Sequence, residues 1–185
     1  MIKEIQKDAD SRMSKAVEVV RHEFIRIRTG KATTSLLDGI KVDYYGNPTP
    51  LNQIATVSTP DIHTITVQVW DKTVVQNVEK AILNSNLGLN PITDGQLLRI
   101  PIPPLNEERR KELVKLIKKF SEDGKIAVRN IRRDAIEHLK KKEKSEHVSE
   151  DDRKHAEGEI QKFTDKHIKE IDNLFQQKEK EIMEV

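Results

Sequence analysis

Apolar side chains recur at alternating intervals of three and four residues through the first part of the chain. The repeating positions are Ile2, Ile5, Ala9, Met13, Ala16, Val20, Phe24 and Ile27. This spacing is typical of one face of an amphipathic helix, so it predicts a helix over about residues 2–28. Gly30 is predicted to cap its C-terminus, with Arg26 and Arg28 in the last turn, where cations favour the helix dipole.

After Gly30 the apolar period changes to two. Residues 40–44 and 65–69 alternate apolar with polar side chains, a pattern typical of half-buried strands. The segments GNPTP at 46–50 and TDG at 93–95 have the residue types that tight turns need. This region is therefore predicted to be built on strands and turns.

A short helix and a last strand complete the predicted β region. Asp71 is placed to cap the helix. Its buried face is predicted to consist of Val74, Val75, Val78 and Ile82. The strand over 97–102 contains Pro101, which cannot donate a ladder hydrogen bond and favours a sheet edge.

The rest of the chain predicts two long helices. Asn106, followed by two glutamates, has the character of an N-cap for a helix over about 106–144. Its predicted apolar stripe is Leu113, Leu116, Ile117, Phe120, Gly124, Ala127, Val128, Ile131 and Ala135. Ser149 and Asp152 form a capping box for a last helix over about 149–184. Its predicted stripe is Ala156, Ile160, Phe163, His167, Ile171, Leu174 and Ile182.

None of the three long helices can bury its apolar stripe alone. We therefore expect an α+β fold in which residues 1–30 and 106–185 form an elongated antiparallel three-helix bundle. Residues 31–105 are expected to form a β/α/β domain inserted into it. Two short linkers join the domains and predict a hinge. The predicted hinge residues are Thr29, Gly30, Lys31, Pro103, Pro104 and Leu105.

Composition and motif spacing exclude several kinds of functional site. The chain has no cysteine, so thiolate and disulfide chemistry are excluded. It has no apolar run long enough to span a bilayer and a highly charged start, so we expect a cytoplasmic protein without membrane contact. Gly30-Lys31 lacks the earlier glycine of a phosphate-binding P-loop and follows a helix, which disfavours a nucleotide site. We find no candidate catalytic residue, cofactor site or metal site.

Positive charge is concentrated in residues 106–144, which contain 14 Lys and Arg against 8 Asp and Glu. Four cations are predicted to project away from Ile131 and form one outward face. They are Lys125, Arg129, Arg132 and Arg133. One interpretation is a solvated helix face paired with nearby acids. The other is a nucleic-acid backbone interface, because the Arg fork grips phosphate oxygens.

Several sequence runs occur in the order expected of one family. They are IRTGKATTSLLDGIKVDYYG at 27–46, TPL at 49–51, VEKAI at 78–82, LGLNP at 87–91, PLNEERRKELVK at 104–115 and VRNIRRDA at 128–135. Through these runs the chain resembles the bacterial ribosome recycling factor family along its whole length. It departs from the family pattern at Lys31, where Arg is more common, and at Thr33-Thr34, where Ser-Pro is common.

The resemblance implies an L-shaped, monomeric translation factor of tRNA-like dimensions. Such a factor binds large-subunit rRNA near the intersubunit bridges and, with elongation factor G and GTP, splits the post-termination ribosome, releasing mRNA. Arg129, Arg132 and Arg133 match the rRNA-contacting segment, and Arg132 is expected to contribute most. Three further arginines match basic residues near the elbow, namely Arg28, Arg109 and Arg110. The alternative is a coiled-coil scaffold or chaperone without an RNA role, whose partner binding would be insensitive to salt.

Overall fold

The computed structural model describes residues 2–146 and 148–184, with the side chain of Glu146 left aside. The chain divides into two compact units. One is made of Met1–Arg28 and Asn106–Val185, and the other is Thr29–Leu105. The first contains three long helices, and the second contains the strands and a short helix.

The three long helices form an antiparallel arrangement. They are α1 (Ile2–Arg26), α3 (Glu107–Glu146) and α4 (Glu150–Met183), and the short helix α2 (Val75–Leu83) lies in the other unit. The Arg12 guanidinium contacts Asp134, while Val20 packs at Gly124, so α1 and α3 run in opposite directions. A descending series of contacts likewise shows that α4 runs antiparallel to α3. These contacts are Lys125 with Asp172, Arg132 with Gln161, and Glu143 with Arg153.

The predicted caps of the two C-terminal helices are confirmed. The side-chain oxygen of Asn106 accepts from the Arg109 N–H at 2.7 Å, and the Ser149 hydroxyl accepts from the Asp152 N–H at 3.1 Å. Ser149 also donates to the Asp152 carboxylate at 2.7 Å. Each cap satisfies a backbone donor that a helix start otherwise leaves unpaired.

The end of α1 differs from the prediction. The helix stops at Arg26, so Arg28 lies beyond its last turn and Gly30 is not its C-cap. Gly30 still adopts a positive φ of 74°, which favours glycine, but it does so in the linker. The glycine with positive φ therefore lies four residues beyond the end of the helix and does not terminate it.

The bundle core follows the predicted stripes with local exceptions. Val17 is buried where Ala16 was expected, and Ser121 and Leu139 extend the buried face of α3. Leu116 was predicted to be buried and is instead 38% exposed. Leu113 and Ile117 fill the core on that turn, which leaves Leu116 on the flank of the stripe.

The second unit contains two antiparallel sheets. The first pairs β1 (Lys41–Tyr44) with β2 (Asn47–Pro50). The second has the order β3-β4-β6-β5. Its strands are β3 (Ala55–Asp61), β4 (Thr64–Val69), β5 (Ile92–Asp94) and β6 (Leu97–Pro101).

The short helix α2 (Val75–Leu83) buries Val75, Val78 and Ile82 of its predicted face in the same core, and Val74 is buried just before its first turn. Asp71 was predicted to cap this helix, but it accepts from the Thr73 N–H and caps the 3-10 turn Lys72–Val74 that leads into α2. The N-cap of α2 is Val74, which makes no side-chain cap.

Three β predictions need correction. The segment 93–95 is not wholly a turn, because Thr93 and Asp94 belong to β5 and the turn begins at Gly95. The segment 46–50 is not a tight turn, because Asn47–Pro50 is a strand and the turn is formed by Tyr45 and Gly46. Both turn residues have positive φ, as a two-residue hairpin requires. The strand with Pro101 is not at the sheet edge, since β6 pairs with both β4 and β5. Pro101 is tolerated because it lies at the strand end, beyond the last residue of β6 that pairs with β5.

Candidate nucleic-acid interface

The four cations predicted on α3 do not share one outward face. Arg129 and Arg133 are exposed, whereas Lys125 and Arg132 are half-buried. At about 100° per residue from Ile131, Arg129 and Arg133 lie about 160–200° away, opposite the core. Lys125 and Arg132 lie only about 100–120° away on the same side, which is the flank that faces α4. The prediction that all four project outward is therefore wrong for these two.

Lys125 belongs to an ion pair between helices. Its Nζ lies 2.5 Å from the Asp172 carboxylate on α4 and 3.3 Å from Glu122, and its side chain is only 16% exposed. The hydrogen bond with Asp172, opposed in part by burial, raises the pKa of Lys125. Two carboxylates thus neutralise this cation, and it is unsuited to hold a phosphate.

Arg132 also reaches α4 but meets a neutral group. Its Nη1 donates to the side-chain oxygen of Gln161 at 2.8 Å. The Nε–H of Arg132 is buried and has no acceptor among the described residues. Gln161 was not singled out by the sequence, because no local pattern shows which α4 residue lies level with Arg132.

Arg129 and Arg133 are the two cations that face solvent. No described carboxylate pairs with either side chain. The nearby acids are engaged elsewhere, since Asp134 accepts from Arg12 at 3.0 Å and Glu137 lies 2.9 Å from Lys141. The hydrogen bond from Lys141 lowers the pKa of Glu137, which keeps it ionised. The bundle surface around Arg129 and Arg133 therefore retains uncompensated positive charge.

The three other predicted arginines have different surroundings. Arg28 is exposed, and Arg110 is half-buried in the first turn of α3. Arg109 is exposed and donates to Glu112 at 2.8 Å. An exposed pair of this kind is worth little in water, so a phosphate can compete for Arg109.

The predicted hinge residues lie in two segments that come together. A Cβ added at Gly30 would lie 3.1 Å from both the backbone N and the Cγ of Leu105, so the linkers are in contact there. The residue adjoining each linker on the β-rich side hydrogen-bonds to the β3–β4 turn. The Ala32 N–H donates to Ile62 O at 2.8 Å, and the Ile102 N–H donates to His63 O at 2.7 Å.

Two other kinds of site were sought in the described ranges. Within residues 2–146 and 148–184, no three His, Asp or Glu side chains are grouped so that they could hold a metal ion. Over the same residues, no helix has the length and apolar character needed to cross a membrane.

Comparison with known proteins gives a consistent result. The family model described as "Ribosome recycling factor" matches residues 20–183. The chain is 55% identical over 181 residues to the ribosome-recycling factor of Solidesulfovibrio magneticus, covering 98% of each chain. It is 57% identical over 178 residues to that of Oleidesulfovibrio alaskensis, covering 96% of this chain and 97% of the relative. It is 53% identical to that of Symbiobacterium thermophilum over the full length of both.

Two solved structures are similar over the whole chain. A solution structure of ribosome recycling factor matches with a TM-score of 0.74 and 46% identity, covering 100% of this chain and 98% of that one. The second is a model of the T. thermophilus ribosome recycling factor bound, with E. coli elongation factor G, to the E. coli post-termination complex. It matches with a TM-score of 0.62 and 49% identity, covering 100% of both chains.

Proposed function

The chain belongs to the ribosome recycling factor family, and from this premise we infer that it is a translation factor acting on the post-termination ribosome. With elongation factor G and GTP, it splits that ribosome into subunits and so frees them for a new round of translation. The observation that carries this function is the match to family members at above 50% identity over nearly the whole chain. Acting on ribosomes places the protein in the cytoplasm.

The chain requires no catalytic residue for this role. Elongation factor G supplies the GTP hydrolysis, and the factor supplies binding and the transmission of force. Helices α1, α3 and α4 share buried apolar side chains, and Lys125 pairs with Asp172 between α3 and α4, which favours a bundle that moves as one body. Its cationic surface provides attachment to RNA phosphates by charge, which needs no base recognition.

We assign the main rRNA contact to the central part of α3. Arg129 and Arg133 are exposed and unpaired by described acids, and Arg132 lies on the adjoining flank of the helix with a neutral partner. An Arg fork binds phosphate oxygens with two parallel hydrogen bonds. Arg28, Arg109 and Arg110 are assigned to a secondary contact. Lys125 is left out, because Asp172 and Glu122 already neutralise it.

The two linkers are proposed to act as a hinge. Thr29–Lys31 and Pro103–Leu105 are short and touch at Gly30 and Leu105. Two short connections side by side restrain translation but permit rotation. Rotation of the β-rich unit would let elongation factor G act on it while the bundle stays attached to rRNA.

Co-sedimentation with ribosomes across a salt series tests the function. Phosphate binding predicts that the logarithm of the affinity falls linearly with the logarithm of salt concentration. A subunit-splitting assay with elongation factor G and GTP should then show dissociation that depends on the protein. Salt-insensitive binding without splitting would overturn the proposal.

The site assignment needs a separate variant. Arg129→Gln combined with Arg133→Gln should weaken ribosome binding and reduce the salt slope by about 2, because each substitution removes one arginine–phosphate interaction. The matched control is Arg21→Gln, because Arg21 is an exposed helical arginine already paired with Glu18 at 3.1 Å. Equal affinities for the double variant and the control would refute the assignment.

A further inference from the structure

Three cations lie between α3 and α4, and their partners differ in charge. Lys125 contacts Asp172 and Glu122. Arg153 lies 3.0 Å from Glu143 and 2.6 Å from Glu157. Arg132 instead donates to the amide oxygen of Gln161. In the described part of the chain, no carboxylate lies within ion-pair distance of Arg132.

The neutral partner is held in a fixed orientation. The Nε2 of Gln161 donates to the Asp165 carboxylate at 2.8 Å, one helical turn along α4. A carboxylate accepts but cannot donate, so this bond requires that the amide nitrogen of Gln161 face Asp165. The amide oxygen must then face Arg132, where the 2.8 Å bond is found. Asp165 thus orients Gln161, and Gln161 in turn orients the guanidinium.

For the Arg132 guanidinium alone, a glutamate at position 161 would be a more favourable partner than glutamine. A half-buried cation is stabilised by an opposite charge, and the interface uses this solution at Lys125 and Arg153. The amide oxygen of Gln161 accepts one hydrogen bond from Arg132, but a neutral group leaves the positive charge uncompensated. The Nε–H of Arg132, buried and without an acceptor among the described residues, shows that hydrogen-bonding capacity is also left unused.

We propose that Gln161 is a positioning residue that holds the guanidinium of Arg132 in place without neutralising it, so that Arg132 can bind an RNA phosphate. This rests on the proposed rRNA-binding function and adds a residue on α4 to that site. The amide reduces the mobility of a long side chain before binding, which lowers the entropic cost of association. A carboxylate would also bind the arginine, but it could not donate to Asp165 and would compete with the phosphate for the guanidinium.

The discriminating variant is Gln161→Glu. It should fold and melt near the wild-type temperature, because the ion pair gained with Arg132 offsets the lost hydrogen bond to Asp165 and the repulsion between the two carboxylates. Its ribosome affinity should fall about tenfold or more, as expected when a hydrogen bond to a charged group is removed. The slope of log affinity against log salt should decrease by about 1, a change that a purely structural role would not produce. Gln161→Met removes the hydrogen bond that holds the Arg132 side chain but leaves its charge unneutralised. It should weaken binding less than Gln161→Glu does and leave the salt slope unchanged.

Two further variants separate this inference from the function on which it rests. Gln177→Glu adds the same charge at an exposed position of α4 and should bind like wild type. Arg132→Gln should weaken binding, and adding Gln161→Glu to it should have no further effect. If Arg132→Gln binds normally, the assignment of Arg132 to rRNA is overturned. If Arg132→Gln weakens binding but Gln161→Glu or Gln161→Met matches wild type in affinity, only the role of Gln161 is overturned.

Discussion

At the residue scale, the partner of each charged side chain decides what that side chain can do. Lys125 and Arg153 are neutralised by carboxylates and join helices α3 and α4. Arg129 and Arg133 lie on the same helix as Lys125 but face solvent with their charge available. Sequence position alone does not separate these roles, because all of these residues are cations on amphipathic helices.

Asp71 shows the same principle in the β-rich unit. Its carboxylate accepts from the Thr73 hydroxyl at 2.7 Å, from the Thr73 N–H at 2.9 Å and from the Tyr45 hydroxyl at 2.8 Å. The Thr73 hydroxyl makes the largest contribution to lowering the pKa of Asp71 below its ordinary value of 3.8. Folding thus favours the ionised form of this cap.

Asp71→Asn should make the free energy of unfolding of this unit depend less on pH under acidic conditions. A carboxyl whose folded pKa is lowered stabilises the fold above its unfolded pKa, and this contribution is lost as pH falls through the folded value. Below about pH 4 the wild type should therefore lose more stability than Asp71→Asn, because asparagine caps without titrating. Urea unfolding followed by the fluorescence of Trp70, the single tryptophan, measures this. Asp94→Asn controls for the loss of one negative charge. Parallel curves of unfolding free energy against pH for wild type and Asp71→Asn would contradict the prediction.

At the element scale, the side chains of two neighbouring helices fill the space beside Gly124, where α3 lacks a side chain. Gly124 on α3 is buried, and a Cβ built on it would overlap Val20 Cγ2 of α1 and lie 3.3 Å from Ile171 Cδ1 of α4. Glycine lowers the intrinsic stability of a helix. Its presence here is explained by three-helix contact rather than by local propensity.

Gly124→Ala and Gly158→Ala should change stability in opposite directions. The first should cost about 1–3 kcal/mol, because the added methyl group overpacks the contact with Val20. The second should stabilise the fold by roughly 0.5–1 kcal/mol, since Gly158 lies in α4 with no atom within 4 Å of its added Cβ. Thermal unfolding followed by circular dichroism at 222 nm compares the two. Stabilisation by both substitutions would show that the bundle tolerates a wider spacing at Gly124.

At the scale of the whole molecule, two units are joined by two linkers that touch. The residues next to the linkers, Ala32 and Ile102, both hydrogen-bond to the same β3–β4 turn. If the proposed hinge rotates, this shared anchor predicts that the two connections move together. The mechanical part of the proposed function depends on that coupling.

Lengthening one linker should separate ribosome binding from splitting. Insertion of Gly-Ser between Pro104 and Leu105 leaves the cationic surface of α3 unchanged, so affinity should equal that of wild type. Subunit splitting with elongation factor G and GTP should slow, because a longer flexible connection no longer restrains the motion. Light scattering of ribosomes follows the reaction. The control is the same insertion after Gly88, an exposed loop position with open space around it; equal splitting rates for both variants would argue against a coupled hinge.

Much of the secondary structure could be predicted from local signals. The 3.6-residue period located α1, α3 and α4, and the caps at Asn106 and Ser149 were predicted because capping depends on neighbours in sequence. The strand Asn47–Pro50 was missed because its two prolines and its glycine neighbour resemble a turn, and β3 has mostly exposed side chains. Pairing across the sheet determined both strands, and pairing partners are distant in sequence.

The sequence by itself determined the helical periods, the excess of positive charge in residues 106–144 and the runs that identify the family. The tertiary structure determined which of those cations are left without a carboxylate partner and can bind a phosphate. Arg132 and Lys125 lie on the flank of α3 that faces α4, so their charges depend on residues about 30 and 50 positions later, Gln161 and Asp172. Helical periodicity in the sequence predicts on which side of its own helix a residue lies. Only the packing of helices determines which group lies in that direction.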